Sequence, residues 1–288
     1  MKVFLFLFYS FSVSAQITGV VVDENNKPIS YVNIWVENES IGTTSHENGT
    51  FSMSIPNDKT LVFSAVGFET QKVKVVGNAT VILKETTFKL EEVVIEKSKQ
   101  TKDLEIGGMK KIHHRQLSGD KPWIYAKRFN YEEKYTDTPF IKSVVFYSDS
   151  EIKNAKLKIR FFQLQDSIPS NDLIDEDIIV SVKKGMKKNI VDVSKYKLKM
   201  PKNGVVIGLE WLIIPENYYE FKYQDSSKKK RITLPDYQPS LVVNYFEERN
   251  AFNYRGGKWY WSYITNTTGK YPWNNKIMTP AINLILTN

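Results

Sequence analysis

Apolar side chains recur mainly at every second position in short runs along this chain, a pattern that predicts strands rather than helices. Residues 49–55, for example, alternate so that Phe51, Met53 and Ile55 share one face of the predicted strand. Runs of this kind, separated by turn-forming residues, give about seven strands between residues 16 and 96. This spacing is typical of a small antiparallel sandwich.

The second part of the chain continues with period-two runs, of which the clearest are residues 140–147, 156–164 and 205–214. Loops rich in Pro, Asp and Asn separate the runs, and their wider spacing predicts a larger, jelly-roll-like β-sandwich over residues 121–288. Residues 97–120 are polar, contain glycine and lack alternation, which indicates a linker. The predicted fold class is therefore all-β, with a small sandwich of about seven strands followed by a larger one.

Residues 1–15 are expected to form a secretory signal peptide rather than part of the fold. Lys2 provides the positive end, residues 3–11 form a short apolar run, and residues 13–15 (VSA) provide a cleavage site. The run is shorter than the roughly 20 residues that span a bilayer. We expect an exported protein of the periplasm, or associated with the outer membrane or cell surface, that is not an integral membrane protein after cleavage.

Six short motifs follow one another in the first third of the chain. They are GVVVD at 19–23, KPI at 27–29, VNI at 32–34, IGTTS at 41–45, NGTF at 48–51 and LVFSAVGFE at 61–69. On these motifs, residues 17–83 resemble the carboxypeptidase-like regulatory domain, a transthyretin-like β-sandwich. His46 stands where that family commonly has Asp. The resemblance implies a non-catalytic accessory module, of the kind attached to peptidases and to outer-membrane receptors of Bacteroidota.

In those receptors the module is followed by a segment similar to residues 90–95 (LEEVVI). Residues 91–95 have two interpretations: a docking peptide for an energy-coupling protein, or a last edge strand of the sandwich, which we favour. The segment 191–211 and its flanking strands are similar to the C-terminal half of exported Bacteroidota proteins that pair such a module with a jelly-roll. This second likeness implies no activity.

Charge divides the chain at the same place as the strand pattern. Residues 16–96 carry 6 Lys/Arg and 11 Asp/Glu, a net charge of −5, whereas residues 97–288 carry 33 and 21, a net charge of +12. Two basic runs, at 183–188 and 226–231, lie in predicted loops without interleaved aromatic residues. In an exported protein we expect these runs to solubilise the chain or to face an anionic envelope surface, and not to bind nucleic acid.

Signatures of common catalytic and metal sites are missing from the sequence. The chain has no Cys, and its one histidine pair, His113-His114, cannot easily place both rings on one metal. The acidic run 172–177 lacks the spacing of an EF-hand loop. Neighbouring carboxylates such as those at 132–133 and 247–248 face apart on a strand rather than into one cleft. We expect no metal, no cofactor and no enzymatic activity.

Aromatic residues crowd a C-terminal stretch, where they suggest a ligand site. The candidate ligand-binding residues are Arg255, Trp259, Trp261, Tyr271 and Trp273. On a strand, Trp259, Trp261 and Tyr263 face one way and Tyr260 the other. If one set fills the core, the other forms an exposed platform of the kind that stacks on sugar rings. The alternative that we favour is that these rings fill a wide sandwich interior.

The leading hypothesis is an exported, non-catalytic binding or assembly module of the cell envelope that recognises a glycan or an envelope protein. One alternative is a carbohydrate-active enzyme or an accessory sugar-binding protein. Another is a partner of an outer-membrane receptor that binds through residues 91–95.

Overall fold

The computed structural model describes residues 16–56, 58–86, 101–110, 114–225, 227, 230–266 and 271–288. The predicted signal peptide at 1–15, the segment at 91–95 and His113 lie outside the described residues. The all-β prediction is confirmed, because strands account for 56% of the structure and no described helix has 7 or more residues. Within the described ranges, none of the helical turns has the length and apolar character needed to cross a membrane.

The first part of the chain folds into two small sheets that share one core. Its strands are β1 (Gln16–Val22), β2 (Asn33–Val36), β3 (Gly42–Thr44), β4 (Thr50–Ser54), β5 (Thr60–Ser64), β6 (Gln71–Lys74) and β7 (Asn78–Ile82). One sheet has the order β4-β1-β7 and the other β3-β2-β5-β6. Phe51 and Phe63, one from each sheet, meet edge to face with ring centres 5.6 Å apart. We call this unit the small sandwich.

The rest of the described chain forms a larger unit. Its strands are β8 (Asp103–Ile106), β9 (Arg115–Gln116), β10 (Ile124–Phe129), β11 (Phe140–Ser150), β12 (Ala155–Gln165), β13 (Ile168–Asp172), β14 (Ile178–Val182), β15 (Gly185–Asp192), β16 (Val205–Trp211), β17 (Tyr218–Asp225), β18 (Lys230–Tyr237), β19 (Ser240–Phe246), β20 (Ala251–Arg255), β21 (Lys258–Trp261), β22 (Ile277–Pro280) and β23 (Ile282–Thr287). Short 3-10 turns occupy Glu133–Asp137, Ser194–Tyr196 and Pro215–Asn217.

Two seven-stranded sheets build this larger unit. One has the order β13-β12-β16-β10-β20-β21 with β14 also on β12, and the other has the order β22-β19-β11-β23-β8 with β15 on β11 and β9 on β19. Apolar side chains from both sheets, such as Tyr125, Phe146 and Trp211, fill one fully buried core. A separate two-stranded hairpin, β17–β18, stands apart from both sheets.

The segment expected as a linker contributes two strands to the larger unit, so the expectation for residues 97–120 is corrected there. β8 pairs antiparallel with β23, and β9 pairs antiparallel with β19. Leu104 and Ile106 alternate with exposed acidic side chains and pack against the core. The physical reason is that β8 gives β23 a second neighbour and shields apolar surface, a partnership between residues far apart in the sequence.

Buried polar groups join the small sandwich to the larger unit along a contact that we call the seam. The Asn33 amide, on β2, donates to a carboxylate oxygen of Glu210, on β16. Both residues are buried, at 2% and 1% exposure. The Lys158 ammonium donates to the carbonyl oxygen of Tyr31 at 3.0 Å. Because buried polar groups need such partners, the seam is a specific contact rather than a loose apposition.

Candidate binding cleft

A cleft of about 670 Å³ opens along the seam. The small sandwich contributes the turn at residues 38–42, and the larger unit contributes residues 116–123 and the β20–β21 hairpin. This volume lies within the range of roughly 300–1,000 Å³ that is usual for small-molecule sites. The cleft is therefore the candidate functional site.

Arg255 and two exposed tyrosines form one organised group in this cleft. The guanidinium carbon of Arg255 lies 5.3 Å from the ring centre of Tyr260 and 5.5 Å from that of Tyr263. The guanidinium also donates to the Tyr263 hydroxyl. The two tyrosines are 45% and 54% exposed. Among the described residues Arg255 forms no ion pair with a carboxylate, so the structure provides a positioned cation between two open aromatic faces.

Two tryptophans stiffen other parts of the cleft wall. Trp123 stacks on Trp211 with ring centres 4.3 Å apart, and its indole NH donates to the Ser118 carbonyl at 2.8 Å. Trp35, from the small sandwich, meets Tyr254 edge to face at 6.1 Å. Both indoles are thus held in place by neighbouring side chains, which reduces the entropy that a ligand would have to remove on binding.

Charged side chains in the cleft wall give it an excess of positive charge. They are Glu39, Asp120, Lys121, Arg255 and Lys258. Glu39 is already paired with Lys59 at 2.7 Å, and its hydrogen bond raises the pKa of Lys59. Asp120 lies 3.8 Å from Lys121. Arg255 and Lys258 therefore face the opening without a matching carboxylate among the described ion pairs.

Of the five residues predicted to bind ligand, Arg255 lines the cleft, whereas Trp259 and Trp261 turn to the other face of β21. The ring centre of Trp259 lies 4.9 Å from that of Phe162, and the ring centre of Trp261 lies 4.1 Å from that of Phe252. Both tryptophans are half-buried by these contacts. Their role in ligand binding stays a prediction.

The other two predicted residues, Tyr271 and Trp273, belong to a second aromatic group. Their rings are stacked with centres 5.1 Å apart, and Trp273 continues the stack onto Tyr245 at 5.9 Å. The His114 ring meets Trp273 edge to face at 4.6 Å. Tyr245 pairs across β19–β22 with Met278, which lies in the cleft wall. The stack therefore borders the cleft through this pair.

The aromatic cleft residues outside the predicted set are Tyr260, Tyr263, Trp123 and Trp35. Because side chains alternate along a strand, the sequence already places Tyr260 on the opposite face from Trp259 and Trp261. Its exposed position beside Arg255 was the available signal. Trp35 and Trp123 lie far from β21 in the sequence, and no local pattern connects them to it.

A second, smaller cavity of about 320 Å³ also lies along the seam, and its wall includes Trp259. Arg160 lies there, paired with Asp172 through two hydrogen bonds and with Glu210 at 3.4 Å. Burial disfavours the charged guanidinium, but attraction to the two carboxylates outweighs burial and raises the pKa of Arg160. This cation is thus already balanced and leaves no charge for a ligand.

The described residues contain no group of three or more His, Asp or Glu side chains that could hold a metal ion. Carboxylates of the acidic run 172–177 are paired with separate cations, such as Asp177 with Lys158 at 2.8 Å and Glu176 with Lys195 at 3.0 Å. These carboxylates form separate ion pairs, and their oxygens do not converge on one point as the ligands of a bound cation would.

Neither neighbouring carboxylate pair lies in the cleft wall described above. Glu132 accepts a hydrogen bond from the Tyr135 hydroxyl at 2.6 Å and pairs with Lys134 at 2.7 Å. Glu247 and Glu248 are exposed beyond the end of β19. The cleft is therefore built from aromatic and cationic groups, with its carboxylates Glu39 and Asp120 each beside a lysine.

The strand pattern and motifs of the small sandwich agree with one family. Residues 17–95 match the CarboxypepD_reg-like domain. The predicted resemblance is thereby confirmed, and the match extends beyond residue 83 to include residues 91–95. The CarboxypepD_reg-like domain supplies Trp35 and the turn at 38–42 to the cleft, whereas the larger unit supplies the remaining wall.

Two curated relatives share this domain with the chain. The TonB-dependent receptor SusC of Bacteroides thetaiotaomicron is 32% identical over 86 residues, which is 30% of this chain and 9% of the receptor. The TonB-dependent receptor P39 of Formosa agariphila is 31% identical over 101 residues, which is 32% of this chain and 10% of the receptor. The chain thus spans about a tenth of the length of the curated relatives that it matches.

Two solved structures have a distant likeness to this chain. The clostridial cysteine protease Cwp84 after propeptide cleavage has a TM-score of 0.40 at 12% identity, over 86% of this chain and 51% of that chain. A putative carbohydrate binding protein from Bacteroides uniformis has a TM-score of 0.20 at 11% identity, over 80% of this chain and 98% of that chain. Neither likeness carries an argument about this chain.

Proposed function

We propose that the chain is an exported, non-catalytic binding module of the cell envelope, and that the seam cleft binds a sugar carrying a carboxylate or sulfate group. The observation that carries the proposal is the Arg255 guanidinium held against Tyr260 and Tyr263. Open tyrosine faces stack on the apolar face of a sugar ring. A planar guanidinium donates a pair of hydrogen bonds to a planar anionic group.

The surroundings of this group support an acidic ligand over a neutral one. Lys258 adds a second cation to the wall, and Glu39 is neutralised by Lys59 at 2.7 Å. A neutral sugar would leave Arg255 without an anionic partner inside the cleft. The similarity of residues 17–95 to part of the TonB-dependent receptors is consistent with an envelope location.

A role as a partner of an outer-membrane receptor is the second candidate function. The observation that favours it is the family match, which includes residues 91–95, together with the two receptor relatives. These residues lie outside the described part of the chain, and the docking interpretation stays a prediction. The two functions are compatible, because the cleft and the 91–95 segment are different parts of the chain.

An array of neutral, uronate-containing and sulfated oligosaccharides, probed with the full chain, tests the sugar proposal. We expect retention of acidic members, and a loss of affinity of about tenfold for Tyr260→Ala and for Tyr263→Ala, since each removes a stacking face. Arg255→Lys keeps the charge but loses the paired donors, so it should weaken acidic ligands more than neutral ones.

Tyr223→Ala is the matched control, because it removes a tyrosine that is 40% exposed on the β17–β18 hairpin and outside the cleft. Its affinity should equal that of the unchanged chain. The sugar proposal fails if no oligosaccharide is retained, or if retention is unchanged in all three cleft variants.

A further inference from the structure

The β17–β18 hairpin is the one two-stranded sheet among the described residues, and neither of its strands pairs with another strand there. Its two strands pair in continuous antiparallel register from Tyr218–Tyr237 to Asp225–Lys230. A two-stranded hairpin is only marginally stable in water by itself. Something must therefore hold it in place, and its free surface is open to a partner.

Buried hydrogen bonds at the base hold the hairpin to the larger unit. The Asp236 carboxylate is 2% exposed and accepts from the Ser118 hydroxyl at 3.1 Å and from the Gly119 NH at 2.9 Å. The Gln238 side-chain amide donates to the other oxygen of Asp236 at 2.7 Å. The hairpin is thus fixed at one end, and its other end extends away from this anchor.

One face of the hairpin is apolar along its outer half. Facing side chains on this side come from two cross-strand pairs, Phe221 with Leu234 and Tyr223 with Ile232. We call these four residues the apolar hairpin face. Leu234 is 47% and Tyr223 is 40% exposed, so the face is not covered by the rest of the chain. Contiguous exposed apolar surface of this kind marks a contact site.

The opposite face is polar, and Lys222 on this face pairs with Glu220 at 3.0 Å. Lys222 lies opposite Thr233, and Arg231 lies opposite Gln224, on the side away from the apolar hairpin face. The sequence from 225 to 231 is DSSKKKR, which has four basic residues and one acidic residue. Lys230 and Arg231, at the start of β18, therefore place two basic side chains on the same hairpin as the apolar hairpin face.

We propose that the β17–β18 hairpin docks on an anionic lipid surface, with its apolar face in the boundary between headgroups and acyl chains. Burial of aromatic and aliphatic side chains at this boundary is favourable, and each nearby Lys or Arg adds electrostatic attraction to anionic lipid. A second copy of the chain fits less well, because two hairpins aligned side by side would bring their basic ends together. This inference is independent of the seam cleft.

The absence of Cys from the sequence allows one labelled position to be compared with its neighbour. Leu234→Cys lies on the apolar hairpin face and Thr233→Cys lies on the opposite face. Each full-length variant is labelled with a polarity-sensitive fluorophore and mixed with vesicles of phosphatidylglycerol and phosphatidylcholine, or of phosphatidylcholine alone. We expect emission at position 234 to shift to the blue and rise by about twofold or more with anionic vesicles, while position 233 changes little, because only one face enters lipid.

Charge variants supply a second measurement that does not depend on the label. Lys230→Gln with Arg231→Gln should lower the fraction bound to anionic vesicles by about tenfold or more, because two basic contacts are lost. The matched control is Lys74→Gln with Lys84→Gln, which removes two exposed lysines from the small sandwich, outside both basic runs, and should leave vesicle binding unchanged.

Three results would overturn the proposal. One is an equal response, or no response, at positions 233 and 234 with anionic vesicles. Another is equal binding by the two charge variants. The third is a blue shift at position 234 that appears without vesicles and rises with protein concentration, which would assign the face to a second copy.

Discussion

Lys127 carries an amino group into the interior of the larger unit. Its side chain is 2% exposed, and its nitrogen donates to the carbonyl oxygens of Gly107 and Ile282, the latter at 2.9 Å. The same nitrogen lies 4.7 Å from the ring centre of Phe246. Burial disfavours the charged form and lowers the pKa of Lys127 to about 7. Near neutral pH this residue is therefore poised between its charged and uncharged forms.

Stability should rise with pH because of Lys127. The unfolded chain keeps this lysine protonated up to its ordinary pKa of 10.5, whereas the folded chain releases the proton above about 7. Between these values the unfolded state binds more protons, so the free energy of unfolding increases with pH, by up to about 5 kcal/mol over the whole interval. Below about pH 7 both states are protonated, and this contribution no longer changes.

Urea unfolding of Lys127→Met between pH 7 and 9.5 tests this prediction. The variant lacks the titrating amino group, so its free energy of unfolding should rise much less with pH than that of the unchanged chain. Lys188→Met, at an exposed position of β15, should keep the full rise. Equal slopes for Lys127→Met and the unchanged chain would contradict the assignment.

The aromatic stretch shows what alternation predicts for single residues and what it does not. Period two correctly placed Tyr260 opposite Trp259 and Trp261, and β21 has this pattern of exposure. Which face meets solvent depends on residues that are distant in the sequence, such as Phe162 against Trp259, and the sequence does not reveal that contact. Tyr263 was grouped with the tryptophans, but β21 ends at Trp261, so the alternation stops before it.

The β20–β21 hairpin depends on two glycines in its turn. Gly256 and Gly257 have φ values of +56° and +78°, the left-handed values that a two-residue hairpin turn requires. Their surroundings differ. A Cβ on Gly257 would lie 3.1 Å from the Trp35 ring, whereas on Gly256 the nearest atom would be 4.0 Å away. Of the two turn residues, only Gly257 thus packs closely against the indole of Trp35.

Asparagine adopts left-handed φ values with little cost. A Gly→Asn change in this turn therefore tests the contact of the added side chain with Trp35 and not the backbone conformation. Gly256→Asn should change the free energy of unfolding by no more than about 0.5 kcal/mol. Gly257→Asn should lower it by about 1–2 kcal/mol, because its Cβ crowds Trp35. Urea titrations followed by tryptophan fluorescence measure both values. Equal effects at the two positions would refute the proposed packing role of Gly257.

Most strands of the fold were predictable because they are long enough to show alternation, but some elements were missed. β8 and β9 have four and two residues, too few for a period, and they form strands only because β23 and β19 offer edges. β17 and β18 were also not predicted, although Tyr219, Phe221 and Tyr223 alternate with polar residues. Both basic runs were expected in loops, but Lys230 and Arg231 of the second run belong to β18, and residues 185–188 of the first run belong to β15.

At the scale of the whole molecule, one buried polar chain crosses the seam. Asn33 bonds to Glu210, Glu210 lies 3.4 Å from Arg160, and Arg160 bonds to Asp172. Charge asymmetry in the sequence indicated two units but not this contact, because Asn33 and Glu210 are 177 residues apart. Each member depends on the others, since an unpaired buried charge is costly. We therefore expect the two units to unfold together.

The substitution Asn33→Asp should make the small sandwich and the larger unit unfold in separate transitions. The substitution keeps the size of the side chain but places a second carboxylate against buried Glu210, which should weaken the seam by about 2–4 kcal/mol. Calorimetry of the unchanged chain should give one transition, and that of the variant two. Asn38→Asp, the same change at an exposed position of the next turn, should leave one transition. A single transition in Asn33→Asp at an unchanged temperature would show that the seam does not couple the units.

The shared wall of the cleft has a consequence for how such chains diversify. Recombination moves whole folding units between genes, and a transferred unit brings its own core and its own surface. Neither unit forms the cleft alone, since Trp35 comes from the small sandwich and Arg255 from the larger unit. A descendant that exchanged either unit would keep only part of the cleft wall and would have to replace the buried partners across the seam. Selectivity for a ligand would therefore depend on the combination of the two units, and it would have to evolve again in each new fusion.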